Sequence, residues 1–181
     1  MRTLYVLAFI ELGSRRIHLS GATAHPDSTW VTQQARNLAL DLDDRASPFR
    51  FLIHDRDTKF SRSFDAIVRS EGARVILTPI QAPNANAHAE RLIETIRAEC
   101  LDWTLILGRR HLDLTLRTYA EHYNRGRPHR GLDLATPLAD AEDPLPVSPR
   151  DVRRRDLLGG SSTSTTELRR DRIRVFDPHA A

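Results

Sequence analysis

Two carboxylates stand where acids can do metal chemistry. Asp55 follows a short apolar run, 51–53, inside the charged cluster His54, Asp55, Arg56, Asp57 and Lys59. Glu90 comes 90 − 55 = 35 positions later, in the first turn of an expected helix. Open α/β sheets gather their ligands beyond the carboxyl ends of strands, which is where Asp55 would sit. Two carboxylates brought together by a fold can bind divalent cations, because Mg²⁺ prefers oxygen ligands and keeps several waters. Paired ions would activate a water or a 3′-hydroxyl and stabilise the oxygen leaving phosphorus. Spacing alone does not select this chemistry, since a chain of 181 residues holds many Asp–Glu pairs. Without context, Asp55 reads as a turn residue and Glu90 as an acid favoured by a helix dipole.

The elements that must position these acids can be read from periodicity. Residues 4–12, "LYVLAFIEL", are continuous, short and apolar, as in a buried strand. "GSRR" turns the chain, and "RIHLSGATA" (16–24) alternates as a second, antiparallel strand. Asp27 or Ser28 caps a helix in which Trp30, Val31, Ala35, Leu38 and Leu42 fall at helical spacing. "FRFLIH" is the next strand, "SFDAIVRSEG" a short helix stopped by Gly72, and "RVILTP" a strand ended by Pro79. "QAPNANA" is a loop. A helix from His88 to about Trp103 would align Leu92, Ile93, Ile96, Cys100 and Trp103, with Trp30 and Trp103 both read as core. Another, about 112–123, precedes "NRGRPHRGL". This order indicates one α/β domain of mixed strand directions over 1–138. Residues 139–181 read as a Pro- and Arg-rich linker with a low-complexity tail, "GGSSTSTT".

Composition narrows the class. Apolar content of 40% supports a real core. No run is long enough to span a membrane, so no membrane partner is expected. A single cysteine, Cys100, excludes an internal disulfide and a multi-cysteine zinc site, and makes the cytoplasm the default compartment. Of 27 basic residues only Lys59 is lysine. A sequence pI near 9.6 suits a polyanion, and arginine forks match phosphate oxygens in pairs.

The blocks around the two acids resemble the integrase core domain of bacterial insertion-sequence transposases and retroviral-type integrases. "HDRDTKF" is similar to that family's "SDNGxEF" block, with Asp55 at the second catalytic aspartate. "TPIQAPNANAHAERLIETIRAE" looks like the block that holds the catalytic glutamate, which falls on Glu90. "HYNRGRPHRGLDLATP" resembles the downstream "YN…RPH…L…TP" signature. The resemblance covers about residues 4–138. It implies a ribonuclease H-like mixed sheet flanked by helices, DNA cleavage and strand transfer with Mg²⁺ or Mn²⁺, and three acids in the order Asp, Asp, Glu. DNA is the implied partner, and a homo-oligomer stays open.

That pattern leaves one acid unaccounted for. The family's first aspartate lies on a strand ahead of one that reads like 4–12, and only Met1, Arg2 and Thr3 precede it here. The first, central strand is therefore expected to be lacking, as in a truncated reading frame or a misassigned start. Residues 4–12 and 49–54 would then pair directly or leave open edges. Glu11 matches a non-catalytic acid of the family. A second reading is thus a catalytically inactive remnant that only binds DNA, and a third a non-functional product that scarcely folds.

Phosphate contacts are expected from Lys59, Arg91, Arg97, Arg125, Arg127 and Arg130, giving affinity and salt dependence without sequence reading. Solvated surface charge is the alternative for each. Asn86 could hold the DNA backbone beside Glu90, or serve only as a turn former. Asp57 reads as an outer carboxylate or as a salt-bridged turn residue. His122 and His129 read as packing and hydrogen-bonding residues.

Overall fold

The computed structural model describes residues 3–42, 49–79 and 87–138, and the strand at 173–175. In chain order the elements are β1 (Leu4–Val6), β2 (Ala8–Ile10), β3 (Ile17–Leu19), α1 (Ser28–Leu42), β4 (Phe51–His54), α2 (Arg62–Ser70), β5 (Arg74–Leu77), α3 (Ala87–Glu99), α4 (Arg109–Arg125) and β6 (Ile173–Val175). The α/β class expected from the sequence is what the structure shows. Two compact units result, one of Met1–Ala8, Ser20–Glu94 and Asp171–Ala181, the other of Phe9–Leu19 and Thr95–Arg170.

In the first unit β4 and β5 run parallel, in register from Phe51 opposite Arg74 to His54 opposite Leu77. A parallel pair needs a crossover, and α2 supplies it. Ser61 starts that helix by accepting the Phe64 N–H on its side chain, and Gly72 leaves it at φ +79°. Phe64 and Val68 of α2 are buried, as are Val31, Ala35 and Leu38 of α1. Burying a Val, Leu or Phe side chain is worth about 1.5–3 kcal/mol, which is why helical spacing in the sequence becomes packing. Asp27 caps α1 by accepting the Trp30 N–H at 2.7 Å. Phe51, Ile53 and Ile76 remain about 40–45% exposed.

The expected strand 4–12 is divided into β1 and β2 at Leu7. There the Leu7 N–H donates to the Ser20 hydroxyl at 2.8 Å, while the Leu7 carbonyl accepts the Ser20 N–H at 2.9 Å. A side-chain oxygen has taken the place of a ladder carbonyl, so regular pairing stops for one residue. β1 pairs in parallel with β6 and makes an antiparallel bridge between Tyr5 and Thr23. Among the described residues, the partners of β1 and β4 are therefore β6 and β5, not each other.

The second unit contains the β2–β3 hairpin from Phe9 onward, with α4. Its turn is closed by Glu11 N–H to the Arg16 carbonyl (2.9 Å) and Arg15 N–H to the Glu11 carbonyl (2.8 Å). α4 begins earlier than periodicity suggested, because the Gly108 carbonyl, in a backbone at φ +105°, already accepts the Leu112 N–H. Leu112, Leu116, Tyr119 and Tyr123 form its buried stripe.

The expected helix to Trp103 ends early. α3 stops at Glu99 and a short 3-10 turn, Leu101–Trp103, follows. Leu92, Ile93, Ile96 and Cys100 are buried as expected, but Trp103 is 68% exposed and donates its Nε1–H to the Ala98 carbonyl at 2.6 Å. Once the chain leaves the helix at Cys100 (φ −130°), the 3.6-residue phase that would have buried Trp103 is lost. Trp30, also read as core, is half-buried. No described helix is long and apolar enough to cross a membrane.

Candidate metal and nucleic-acid site

Asp55 leaves the carboxyl end of β4 and is buried, at 8% exposure. Because β4 and β5 are parallel, that end is also where β5 finishes. The His54 carbonyl accepts the Thr78 N–H at 2.9 Å there, and Arg56 Nε–H reaches the Thr78 carbonyl at 3.3 Å. The loop beyond is wound by its own acids. Asp55 Oδ1 accepts the Asp57 N–H at 3.1 Å, and Asp57 Oδ1 accepts the Lys59 N–H at 2.8 Å. Two successive side-chain turns of this kind are what Asp supplies in place of the Asn–Gly of a looser loop. Lys59 Nζ also sits 3.1 Å from Asp57 Oδ2, so Asp57 takes the salt-bridged turn role.

Glu90 lies in the first turn of α3, half-buried, where the exposed amide ends of the helix favour a negative charge. Asp55 and Glu90 belong to the same compact unit. Both are hard oxygen donors of the kind Mg²⁺ and Mn²⁺ take, so the residue chemistry fits such an ion. Two carboxylates are a minimal set, and among the described residues no group of three His, Cys, Asp or Glu is arranged to hold a metal. Glu11 accepts from His18 Nε2 at 2.8 Å and from the Ser14 hydroxyl at 2.6 Å, which makes it a hairpin residue.

The basic residues divide by environment. Arg91 and Arg97 are exposed on α3, Arg125 is exposed in the last turn of α4, and Arg130 is exposed in a short 3-10 turn. Lys59 is half-buried against Asp57. Arg127 is different. Its Nη2 and Nε donate to the Glu99 carboxylate at 2.6 and 3.0 Å, and its guanidinium lies 5.3 Å over the Tyr123 ring. Asn86 lies outside the described residues.

Arg127 is one member of a network in the second unit that the sequence reading did not foresee. The Tyr119 hydroxyl donates to Glu99 at 2.9 Å, and His129 stacks edge-on against Tyr123 at 4.7 Å. Burial raises the Glu99 carboxyl pKa, but hydrogen bonds from Arg127 and Tyr119 outweigh it and hold the group below its ordinary value. Burial, with the Glu99 carboxylate beside it, pushes the Tyr119 phenol up. Burial, then the Arg127 charge, lowers His129. Burial alone pushes the Cys100 thiol up to about 11. Directly after Tyr123, Asn124 accepts the Ile17 N–H at 2.8 Å and donates to the Ile17 carbonyl at 2.9 Å. Its amide thus serves both backbone groups of one β3 residue. The available signal was the Tyr–Asn pair ending an apolar helical stripe, where a buried amide needs partners.

Also unforeseen is the setting of His54. Its Nδ1 is 2.6 Å from the Asp55 carbonyl oxygen and its Nε2 3.1 Å from Asp65 Oδ1. Its ring packs against Phe60 and Phe64.

Residues 71–137 match the sequence family described as "Integrase core domain". The structure is similar to the crystal structure of the catalytic core domain of BIV integrase, with a TM-score of 0.48 and 12% sequence identity, over 75% of this chain and 90% of that one. No curated protein matches. The matched stretch holds Glu90 and the whole Tyr123–His129 block, whereas Asp55 precedes it. Similarity to an integrase core domain thus covers 67 of the 181 residues.

Proposed function

We propose that this chain is the catalytic-core portion of a transposase or integrase, with a ribonuclease H-like frame, related to metal-dependent DNA cleavage and strand transfer. What supports the reading most is the integrase core match over residues 71–137, which contains Glu90 in the first turn of α3. Asp55, at the end of the parallel strand β4, is the second acid of the set. These two side chains would hold Mg²⁺ or Mn²⁺. Bound there, such an ion supplies Lewis-acid stabilisation at phosphorus and lowers the pKa of an attacking water or hydroxyl. The remaining work falls to the chain's own residues. Arg91, Arg97, Arg125 and Arg130, all exposed, fix DNA phosphates without reading sequence. Arg127, turned to Glu99, shapes the domain instead.

A second reading is a catalytically inactive remnant, which binds DNA through its arginines and does not cut it. One set of experiments separates these. Mn²⁺ binding followed by water-proton relaxation should weaken about tenfold or more in both D55N and E90Q. DNA binding followed by fluorescence anisotropy should weaken with salt, with a log–log slope of about −0.9 per phosphate contact. Mn²⁺ binding indifferent to both substitutions would remove the metal assignment. Strand transfer by the chain alone in Mg²⁺ would remove the binding-only reading.

A further inference from the structure

We infer that His54 is a positioning residue for Asp55, one imidazole ring tying the acid-bearing loop to helix α2. This deepens the reading of Asp55 as a metal ligand and rests on it for its functional meaning, while its structural core can be tested without metal.

His54 is the last residue of β4 and is 8% exposed. Both of its ring nitrogens face oxygen acceptors: the Asp55 carbonyl at 2.6 Å and Asp65 Oδ1 at 3.1 Å. Each contact is within hydrogen-bond distance, so the ring can hold the loop carbonyl on one side and the helix carboxylate on the other. Asp65 belongs to the first turn of α2, and its other oxygen lies 3.2 Å from Arg69 Nη2. The ring therefore links a strand end, a loop carbonyl and a helix. Two aromatic rings hold it in plane, Phe60 at 4.6 Å and Phe64 at 5.5 Å, themselves 5.0 Å apart edge to face.

The consequence falls on Asp55. Its carbonyl is held by the His54 ring, which restricts ψ, and its Oδ1 is held by the Asp57 N–H at 3.1 Å, which restricts χ1. A ligand restrained on both sides of its Cα gives up little rotamer freedom when it binds an ion. Outer partners that orient a ligand in this way typically change metal affinity by about 10–100-fold when removed. Packing alone does not require the two hydrogen bonds, because a phenyl ring at position 54 would keep both aromatic contacts.

That difference supplies the test. In the full chain, His54→Phe keeps the ring stack and removes both hydrogen bonds; D65A removes only the helix anchor. The thermal midpoint, the Mn²⁺ affinity and the hydrogen exchange of the Asp57 amide are read for each. A positioning role predicts that H54F melts close to the wild type, binds Mn²⁺ about tenfold or more weakly, and exchanges the Asp57 amide about tenfold or more faster. D65A should fall between the two proteins on both readouts. If H54F keeps the wild-type exchange rate, the inference fails, whatever the metal does. If the wild type shows no Asp55-dependent Mn²⁺ binding while H54F still exposes the Asp57 amide, the positioning role stands and the metal reading fails. Should H54F not fold, D65A decides the matter on the same exchange measurement.

Discussion

The loop after β4 and the block after α4 are both rich in charge, yet they use it in opposite ways. Around Arg127, opposite charges meet each other: Glu99 receives two guanidinium hydrogen bonds and a phenol, and Tyr123 is covered by the arginine and by His129. Around Asp55, carboxylates meet mainly backbone. Asp55 and Asp57 each accept a main-chain N–H two residues on, and Lys59 is the cation beside Asp57. The first arrangement neutralises charge to hold helices together. The second uses carboxylates to wind the backbone of a loop. Charge density in a sequence therefore does not reveal what each charge does, because that depends on the groups the fold sets beside it.

Four tests sharpen or break this contrast. The largest effect is expected at Asn124, whose amide serves both backbone groups of Ile17. Asn124→Ala leaves two buried groups unpaired and should cost about 3 kcal/mol in chemical denaturation, whereas D57A in the acid loop should cost less than about 1 kcal/mol. Equal losses would erase the distinction between a structural block and a ligand loop. Next, Arg127→Ala should lower stability by about 1 kcal/mol while leaving the salt slope of DNA binding unchanged. R130A should do the reverse, reducing that slope by about 0.9. A slope change in R127A would return Arg127 to the DNA-contacting set.

A third test uses pH. Glu99 has a folded pKa below its ordinary value, so the stability it contributes is complete above the usual carboxylate range and is lost as pH falls through that range. His129 is lowered too, so its contribution is present above its ordinary value of 6.5 and fades as pH falls below it. Denaturation curves should therefore weaken in two steps between neutral and acid pH. E99Q should flatten the lower step, and His129→Phe the upper one. Lower stability at alkaline rather than acid pH would contradict both signs. The smallest effect is expected at Lys59→Met, below about 0.5 kcal/mol, since the Asp57 pair is partly solvated.

Much of this was legible in the chain. Helical spacing picked out Val31, Ala35 and Leu38, and also Leu92, Ile93, Ile96 and Cys100, because burial selects apolar residues at a fixed period. Gly72 marked the end of α2 because the chain there needs a positive φ. Trp103 was misread for the same reason that the others were right: periodicity cannot see where a helix will stop. The division of 4–12 at Leu7 was also hidden, since the hydroxyl that interrupts it belongs to Ser20, thirteen residues on.

By itself the sequence determined residue types and their local order: which stretches alternate, which repeat at helical period, and that two acids stand 90 − 55 = 35 positions apart within integrase-like blocks. It could not say which partner each polar group finds. That Arg127 is taken by Glu99, that Asn124 clasps Ile17 across 107 positions, and that His54 reaches Asp65 were decided by the tertiary structure. The physical reason is that hydrogen bonds and ion pairs depend on distances of about 3 Å. Such distances between residues remote along the chain exist only after the apolar positions have packed.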